Sequence, residues 1–201
     1  MKRLVLSEGR RDVRLIELFC ETAATDTQVE TFYGEDVSYN RLKNHESNAI
    51  RNFLERRNPY DVLAKSENGK SDLKRIFSKL ARFLTKTDAT VILLIDLDGG
   101  SLDRLIDELD TRIEDTYQGR RLGVREVEQV DQSQALLAHR AELYSKPDDE
   151  CLGDFDVIAF HHDLETAIDL DEADDDSDEE RKLRDLVTDE RATGPLRSVL
   201  L

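Results

Sequence analysis

One stretch decides the fold of this chain: Val91-Ile92-Leu93-Leu94-Ile95-Asp96-Leu97-Asp98-Gly99-Gly100. An apolar run this short, closed by two acids and a glycine pair, predicts a strand that is buried on both faces. Because side chains alternate along a strand, we expect Asp96 and Asp98 on one face at its C-terminal end, with Cα atoms roughly 6.6 Å apart. Open α/β sheets bind their ligands at this edge. Two converging carboxylates favour a divalent cation there; the alternative is a plain acidic loop in an acidic protein.

The first strand of the chain is expected to supply matching acids. Leu4-Val5-Leu6 is followed by Ser7-Glu8-Gly9, and an amphipathic pattern then predicts a helix to about Thr22. If this strand neighbours the Asp96 strand, Glu8 joins the two aspartates, and Asp12, one helical turn later, faces the same edge. Four carboxylates there cannot all ionise without cations, and two metals roughly 4 Å apart would satisfy them. Gly9 would let a phosphate or metal approach the backbone.

Strands and helices alternate along most of the chain. Strands are predicted at 28–33, 122–130 and 155–160 in addition to the two above, and helices at 71–84, 101–113, 134–144 and 164–170. This order predicts an α/β fold with a mainly parallel central sheet and helices on both faces.

The expected domain organisation is one main domain with a C-terminal appendage. Residues 1–170 are predicted to form the α/β domain, with an excursion from the core sheet at about 35–70, where the pattern weakens and a short charged helix is expected at 48–57. Residues 171–201 are predicted to be an acidic linker, a helix capped by Ser177 and Glu180, and an apolar tail that docks elsewhere.

The charge balance limits the classes of function. The formal net charge is -16, acids outnumber bases 45 to 29, and arginine is about twice as common as lysine. Acids spread over the whole chain are typical of proteins adapted to high salt, where the Debye length falls to about 3 Å; we therefore expect a halophilic protein. Two cysteines, Cys20 and Cys151, form neither a disulfide framework nor a zinc motif, and both are expected to be buried. No membrane segment or signal peptide is recognisable, which predicts a cytoplasmic protein.

Two motifs together resemble the Toprim (topoisomerase–primase) domain family. Its pattern is a strand ending in Glu-Gly, then a helix, and later an apolar strand ending in Asp-x-Asp; Leu4 to Gly9 and Ile92 to Asp98 fit it. The chain most resembles the Toprim domain of the overcoming-lysogenization-defect (OLD) nucleases, which carry Glu-Gly-x-x-Glu or Glu-Gly-x-x-Asp and a Gly-Lys-Ser-like step. Here Glu8, Gly9 and Asp12 match the first motif, and Gly69-Lys70-Ser71 matches the second. The resemblance covers about residues 1–170.

This resemblance implies a Toprim/Rossmann-like fold and metal-dependent cleavage of DNA or RNA. Mg²⁺ or Mn²⁺ would be held by four carboxylates, with a late acid as a further ligand, and a glycine and two bases would contact phosphate. The four carboxylates would be those of Glu8, Asp12, Asp96 and Asp98, and the late acid would be Glu165. The phosphate contacts would come from Gly9, Arg10 and Lys70.

The chain departs from those nucleases in two ways. No ATPase domain is recognisable in the sequence, which predicts a free-standing Toprim protein and a separate protein partner that supplies ATPase activity or specificity. Their late basic residue has no clear counterpart, with Lys182 and Arg184 as the candidates.

Two other motifs have ordinary explanations beside functional ones. Gly69-Lys70-Ser71 lacks the upstream glycine of a phosphate-binding loop, so Ser71 is expected to cap a helix. His161-His162-Asp163 offers metal ligands, but adjacent histidines on a strand point to opposite faces.

Two rival functions remain open. Asp96-Leu97-Asp98-Gly99 resembles the first motif of haloacid dehalogenase-like phosphatases, although that motif usually opens the chain and this interpretation leaves Glu8-Gly9 unexplained. The other rival is a non-catalytic Toprim-like binding or regulatory module. It is favoured by the absence of a clustered basic stretch, since a nuclease needs an electropositive path for its substrate. The basic residues that would have to converge in space are Arg10, Arg11, Lys70, Arg104, Arg120, Arg121 and Arg125.

Overall fold

A seven-stranded mixed sheet forms the centre of the molecule. The computed structural model describes residues 2–23, 26–33, 50–171 and 173–201. The strands are β1 (Arg3–Ser7), β2 (Val29–Tyr33), β3 (Val62–Ser66), β4 (Thr90–Asp96), β5 (Leu122–Gln132), β6 (Leu136–Ser145) and β7 (Glu150–Phe160). Their spatial order is β2-β3-β1-β4-β7-β6-β5, and β6 pairs antiparallel with both of its neighbours. The remaining pairs are parallel, which confirms the predicted α/β fold with a mainly parallel sheet.

Helices cover both faces of the sheet. They are α1 (Arg10–Ala23), α2 (Lys70–Leu84), α3 (Leu102–Thr116), α4 (Leu164–Ala167), α5 (Asp176–Thr188) and α6 (Gly194–Leu200), and residues 50–54 are also helical. One core contains the apolar sides of α2 and α3, with Phe77 and Leu109 fully buried. The other core contains α1, α5 and α6, with Phe19 and Leu196 fully buried. No helix in the described ranges is long and apolar enough to cross a membrane.

The expected excursion at 35–70 is wrong for its last part. Residues 62–66 form β3, which lies between β2 and β1 inside the sheet, and all five of its residues are buried. The strand was missed because Lys65 and Ser66 interrupt its apolar pattern. In the sheet, Lys65 pairs with Glu67, which is also buried. The first part of the excursion, residues 34–49, lies outside the described residues.

The helix predicted at 134–144 is wrong. Residues 136–145 form β6, in which Leu136, Ala138 and Leu143 are fully buried. Apolar residues on both faces of a strand give no clear period of two, so the pattern was ambiguous with a helix. Pairing with β5 on one side and β7 on the other decides the conformation.

Helix starts agree with the sequence in one case and differ in two. The helix predicted to start at Ser101 does so, and Ser101 is its cap, with a side chain that accepts a hydrogen bond from the Arg104 N–H. Ser71 does not cap α2, because the helix already begins at Lys70, with Gly69 at the cap position and φ 86°. The cap of α5 is Asp175 rather than Ser177, so the end of the acidic run belongs to the helix start.

The C-terminal segment packs on the main sheet. Leu183 and Leu200 lie in the same core as Val5. Arg3 of β1 donates hydrogen bonds to the carbonyls of Val199 (3.1 Å) and Leu201 (3.0 Å). The predicted docking of the tail is therefore onto this chain's own core.

The edge strand β5 is irregular. Its pairing with β6 shifts register between Glu126 and Glu128 and again between Gln129 and Asp131. Residues 126–129 are exposed.

The cysteines differ in exposure. Cys20 is buried as expected, whereas Cys151 is exposed on β7, which corrects the expectation that both are buried. Neither forms a disulfide.

Candidate metal centre

The carboxyl ends of β1 and β4 bring the first two candidate acids together. The strands are hydrogen-bonded neighbours in parallel register, with Ser7 opposite Leu94. Glu8 follows β1 directly, and its Oε1 accepts a hydrogen bond of 2.9 Å from the backbone N–H of Asp96. The expected adjacency of the Glu8 and Asp96 strands is therefore confirmed.

Asp12 turns back over this edge from the first turn of α1. Its Oδ2 accepts hydrogen bonds from the backbone N–H groups of Glu8 (3.1 Å) and Gly9 (2.9 Å). Burial raises the pKa of Asp12 to about 7, and the negative charges of Glu8 and Glu165 add to the rise, against the two N–H donors. A methyl group at Gly9 would meet nothing within 4 Å, so the space beside this turn is open.

The surroundings of Asp96 strongly disfavour its ionised carboxylate. Its Oδ1 is buried and has no hydrogen-bond partner among the described residues. Burial raises the pKa of Asp96 to about 8, the charges of Asp12, Glu8 and Glu165 add to the rise, and Lys70 opposes it. A buried carboxylate oxygen without a partner is costly. A cation at this position would supply the missing interaction, so the donor set fits a hard divalent metal.

Asp98 departs from the predicted arrangement. The strand ends at Asp96, and Asp98 adopts a left-handed backbone, with φ 51°, in the following turn. The alternation that was to place both aspartates on one face therefore stops before Asp98. Its side chain is 68% exposed and pairs with the ammonium group of Lys70, which also lies 3.8 Å from Glu8 Oε1.

Burial also raises the pKa of Glu8, but two nearby groups limit the rise. The Asp96 N–H and the positive charge of Lys70 both favour the ionised carboxylate. Glu8 is therefore the acid that faces both the buried carboxylates and the exposed Lys70–Asp98 pair.

An open groove of about 710 Å³ lies over the buried acids, on the α1 side of the sheet. We call it the acidic groove, because six acidic and three basic side chains line it. They are Glu8, Asp12, Asp96, Glu165, Asp176 and Glu179, with Arg10, Arg11 and Arg14. Arg11 Nη1 pairs with Glu165 Oε1 at 2.6 Å, and Arg11 Nε pairs with Glu179 at 2.8 Å. Arg10 lies over the ring of Tyr33, 4.7 Å from its centroid.

A second groove, of about 1010 Å³, runs between α2 and α3 on the opposite side of the sheet. We call it the basic groove, because six basic and three acidic side chains line it. They are Lys70, Lys74, Arg75, Lys79, Arg104 and Arg112, with Asp107, Glu108 and Asp115. Sequence reasoning singled out only Lys70 and Arg104. The spacing of Lys70, Lys74 and Lys79 on one helix, and of Arg104 and Arg112 on the next, is the signal that would have found the rest.

The basic residues expected to converge are divided among four places. Arg10 and Arg11 line the acidic groove, and Lys70 and Arg104 line the basic groove. Arg125 pairs with Glu142 and Asp149 on the outer strands. Arg120 and Arg121 follow α3 and line neither groove.

The two histidines support the turn rather than the acids. The carbonyls of His161 and His162 accept the N–H groups of Gly99 (3.0 Å) and Asp98 (2.9 Å). Their rings line a separate cavity with Asp163 and Lys182. Lys182, a candidate for the late basic residue, pairs with Asp174 at 2.7 Å.

One further group of possible ligands lies elsewhere. Glu142, Cys151 and Asp154 place one ligand atom each within 4.8 Å of one another on β6 and β7, and it is the only group of three this close within the described ranges. Arg125 already pairs with Glu142 at 2.6 Å. Among the described residues, the acids at the carboxyl edge are therefore not drawn together this tightly.

Two comparisons with known proteins gave no match. No protein-family model matches the chain, and no curated protein matches its sequence. The function is therefore argued from the geometry of the site.

Proposed function

We propose that this protein is a divalent-metal-dependent phosphodiesterase that acts on nucleic acid, with a Toprim-like site at the carboxyl edge of its sheet. The observation that carries the proposal is the buried Oδ1 of Asp96, which has no described partner and lies among other acids. Glu8, Asp12 and Asp96 would hold Mg²⁺ or Mn²⁺, with Glu165 and Asp98 as outer ligands. Such an ion lowers the pKa of bound water and polarises a phosphoryl oxygen.

The remaining roles belong to the chain's own residues. Lys70, within reach of both Asp98 and Glu8, supplies a positive charge for a phosphate oxygen at the outer side of the site. The open space beside Gly9 leaves room for a phosphate next to the backbone. Arg10 and Arg11 line the acidic groove and would orient the phosphodiester.

The test is calorimetric titration of Mg²⁺ and Mn²⁺ into wild type and Asp96→Asn. Asp156→Asn is the control, because Asp156 on β7 is also a buried acid whose pKa is raised by burial. Its Oδ1 lies 3.5 Å from Nε of Arg140, so this carboxylate already has a cationic partner. Asp156 lies opposite Ile92, away from the carboxyl edge. We expect binding in wild type and in Asp156→Asn, and a loss of more than about 100-fold in Asp96→Asn, beyond the cost of disturbing an outer-shell residue.

Cleavage of labelled single- and double-stranded DNA and RNA in Mg²⁺ or Mn²⁺ then tests the reaction. Activity that is absent from Asp96→Asn and retained in Asp156→Asn supports the proposal. Absence of metal binding in wild type would overturn it and leave a Toprim-like binding module. A covalent aspartyl-phosphate trapped on Asp96 would instead indicate the phosphatase alternative.

A further inference from the structure

The basic groove is the exception in the charge distribution of this protein. The chain as a whole has a formal charge of -16, yet the groove between α2 and α3 is lined by twice as many basic as acidic side chains. Charged residues scattered at random over this protein would instead give fewer bases than acids, in the proportion 29 to 45. Local concentration of positive charge in a concave surface attracts an anionic partner.

The cations follow the length of the groove. Lys70 lies at the end of the groove nearest the carboxyl edge of the sheet, which we call its upper end, and there it contacts Asp98. Lys74 comes next, with a side chain only 9% exposed, and it contacts Glu108, which also pairs with Arg104 at 3.0 Å. At the lower end are Lys79 and Arg112, for which no ion pair is found within the described part of the chain.

The two helices lead toward the proposed metal centre. α2 and α3 both begin at the carboxyl edge of the sheet, α3 directly after the Asp98 turn. From Lys70 to Lys79 the helix rises roughly 14 Å, at 1.5 Å per residue. One strand of a duplex carries a phosphate for about every 3.4 Å of helix axis, so the length of the groove matches the axial rise of about four phosphates. Its upper end shares Lys70 with Glu8 of the metal centre.

The lining chemistry suits a phosphate backbone better than bases. Besides the charged residues, the described lining consists of hydroxyl side chains: Ser71, Ser78, Thr111 and Thr116. It includes no aromatic ring on which a base would stack, and stacking is the usual way in which proteins hold the bases of single strands. Lysine, arginine and hydroxyl donors contact phosphate and sugar without reading sequence.

We propose that the basic groove binds the sugar-phosphate backbone of nucleic acid, without sequence preference, and leads it to the carboxyl edge of the sheet. This inference rests on the proposed function for the identity of its partner, because a phosphodiester substrate needs a path to the acids. The acidic groove cannot provide that path by charge, since acids outnumber bases in its lining by two to one.

The experiment measures binding alone, without metal. Fluorescence anisotropy follows fluorescein-labelled 20-mers of mixed sequence, single-stranded and duplex, in EDTA over a series of KCl concentrations at which circular dichroism shows a folded protein. The variant is Lys79→Ala/Arg112→Ala, which removes the two cations without ion pairs. The control is Arg181→Ala/Arg191→Ala, two exposed arginines on and after α5. Both variants change the net charge equally.

We expect binding by wild type and by the control, and binding about tenfold weaker by Lys79→Ala/Arg112→Ala, equally for unrelated sequences. The slope of log affinity against log salt is expected to fall by roughly 1 to 2, as two phosphate contacts are lost. Equal weakening in both variants, or no binding by wild type, would overturn the inference.

A parallel metal titration separates this inference from the proposed function. Lys79→Ala/Arg112→Ala is expected to bind Mn²⁺ as wild type does, because both residues lie at the far end of the groove. Groove-dependent oligonucleotide binding in a protein that binds no metal would support the inference and overturn the hydrolase. Metal-dependent cleavage with no dependence on Lys79 and Arg112 would do the reverse.

Discussion

The acidic groove and the basic groove meet at one edge of one sheet, and their charges are opposite. Six acids and three bases line the first, and six bases and three acids line the second. The sheet separates them, and Glu8 is the acid between them, since it contacts the Asp96 backbone and also lies near Lys70. The two grooves at this edge therefore carry opposite charge on opposite faces of the sheet.

The two grooves also differ in how their charges are held. In the acidic groove, burial raises the pKa of Asp12 to about 7 and that of Asp96 to about 8, so part of its negative charge is replaced by protons at neutral pH. In the basic groove, Lys79 and Arg104 are exposed to solvent. The first is suited to exchange protons for a cation, and the second to exchange counterions for a polyanion.

The largest expected effect concerns pH. The ordinary pKa of an aspartate is 3.8, and that of Asp96 in the folded protein is about 8. Between these two pKa values, the folded state keeps a proton that the unfolded state has lost. The stability that the protonated Asp96 carboxyl contributes is therefore fully present below about pH 4 and is lost as the pH rises to about 8. We expect Asp96→Asn to melt at a higher temperature than wild type, by a margin that grows between pH 5 and pH 8.5.

Metal distinguishes this effect from simple removal of a buried charge. Melting curves recorded at pH 8 with saturating Mg²⁺ are expected to narrow the difference between wild type and Asp96→Asn, because the ion stabilises only a protein that binds it. Mg²⁺ is expected to leave the difference in melting temperature between wild type and Asp156→Asn unchanged. A margin that is constant with pH would contradict the raised pKa of Asp96.

A smaller effect is expected from substitution of Lys70, which lines the basic groove and also lies near Glu8 of the acidic groove. Lys70→Met removes a cation that favours the ionised form of Glu8 and pairs with Asp98. We expect Mn²⁺ affinity to rise a few-fold, since less positive charge repels the ion, while oligonucleotide affinity falls by about tenfold. Calorimetry and anisotropy measure the two separately. Lys70→Arg keeps the positive charge and should retain the wild-type affinities for Mn²⁺ and for the oligonucleotide. If Lys70→Met changed both affinities in the same direction, the charge of Lys70 would not have opposite effects on the two grooves.

Salt is expected to act on the whole surface. With acids outnumbering bases 45 to 29, screening by molar KCl removes self-repulsion. The melting temperature should rise with KCl, by roughly 2–4 °C for each kcal/mol of repulsion removed. Over the same range, oligonucleotide binding should weaken. A melting temperature that does not respond to KCl would end the halophilic interpretation.

The smallest expected effect is that of Arg11→Ala. Arg11 holds Glu165 and Glu179 in exposed ion pairs, and such pairs stabilise proteins by about 0–1 kcal/mol. The free energy of unfolding in urea should therefore change little. Mn²⁺ affinity should rise slightly, because Glu165 is released toward Asp96. A large loss of stability would show that Arg11 has a structural role beyond these pairs.

The sequence predicted the parts of the fold that depend on local patterns. β1, β4 and the end of β7 are short apolar runs, and α1 and α3 have regular amphipathic spacing, so their positions were correct. Lys65 made β3 hard to recognise, because the apolar pattern of the strand does not reveal that this lysine pairs with Glu67. The identity of β6 depends on pairing with strands on both sides, which no window of its own sequence contains.

The candidate site was likewise predictable only where it depends on local sequence patterns. Glu8, Asp12 and Asp96 were found because strand ends and helical spacing place them at one edge. The sequence gives no sign that the chain leaves the strand conformation before Asp98, which moves this acid to the Lys70 side. The pairing of Arg11 with Glu179 joins residues far apart along the chain and was equally invisible.

The irregular β5 has a consequence for self-association. An exposed edge strand invites a second molecule to extend the sheet, and many proteins prevent this with charged side chains. β5 carries such charges, but at molar salt, where the Debye length is about 3 Å, repulsion between them is weak. Its two register shifts disturb the regular row of backbone donors and acceptors that an incoming strand would need. This protection is geometric, so it persists at salt concentrations where charge no longer keeps molecules apart.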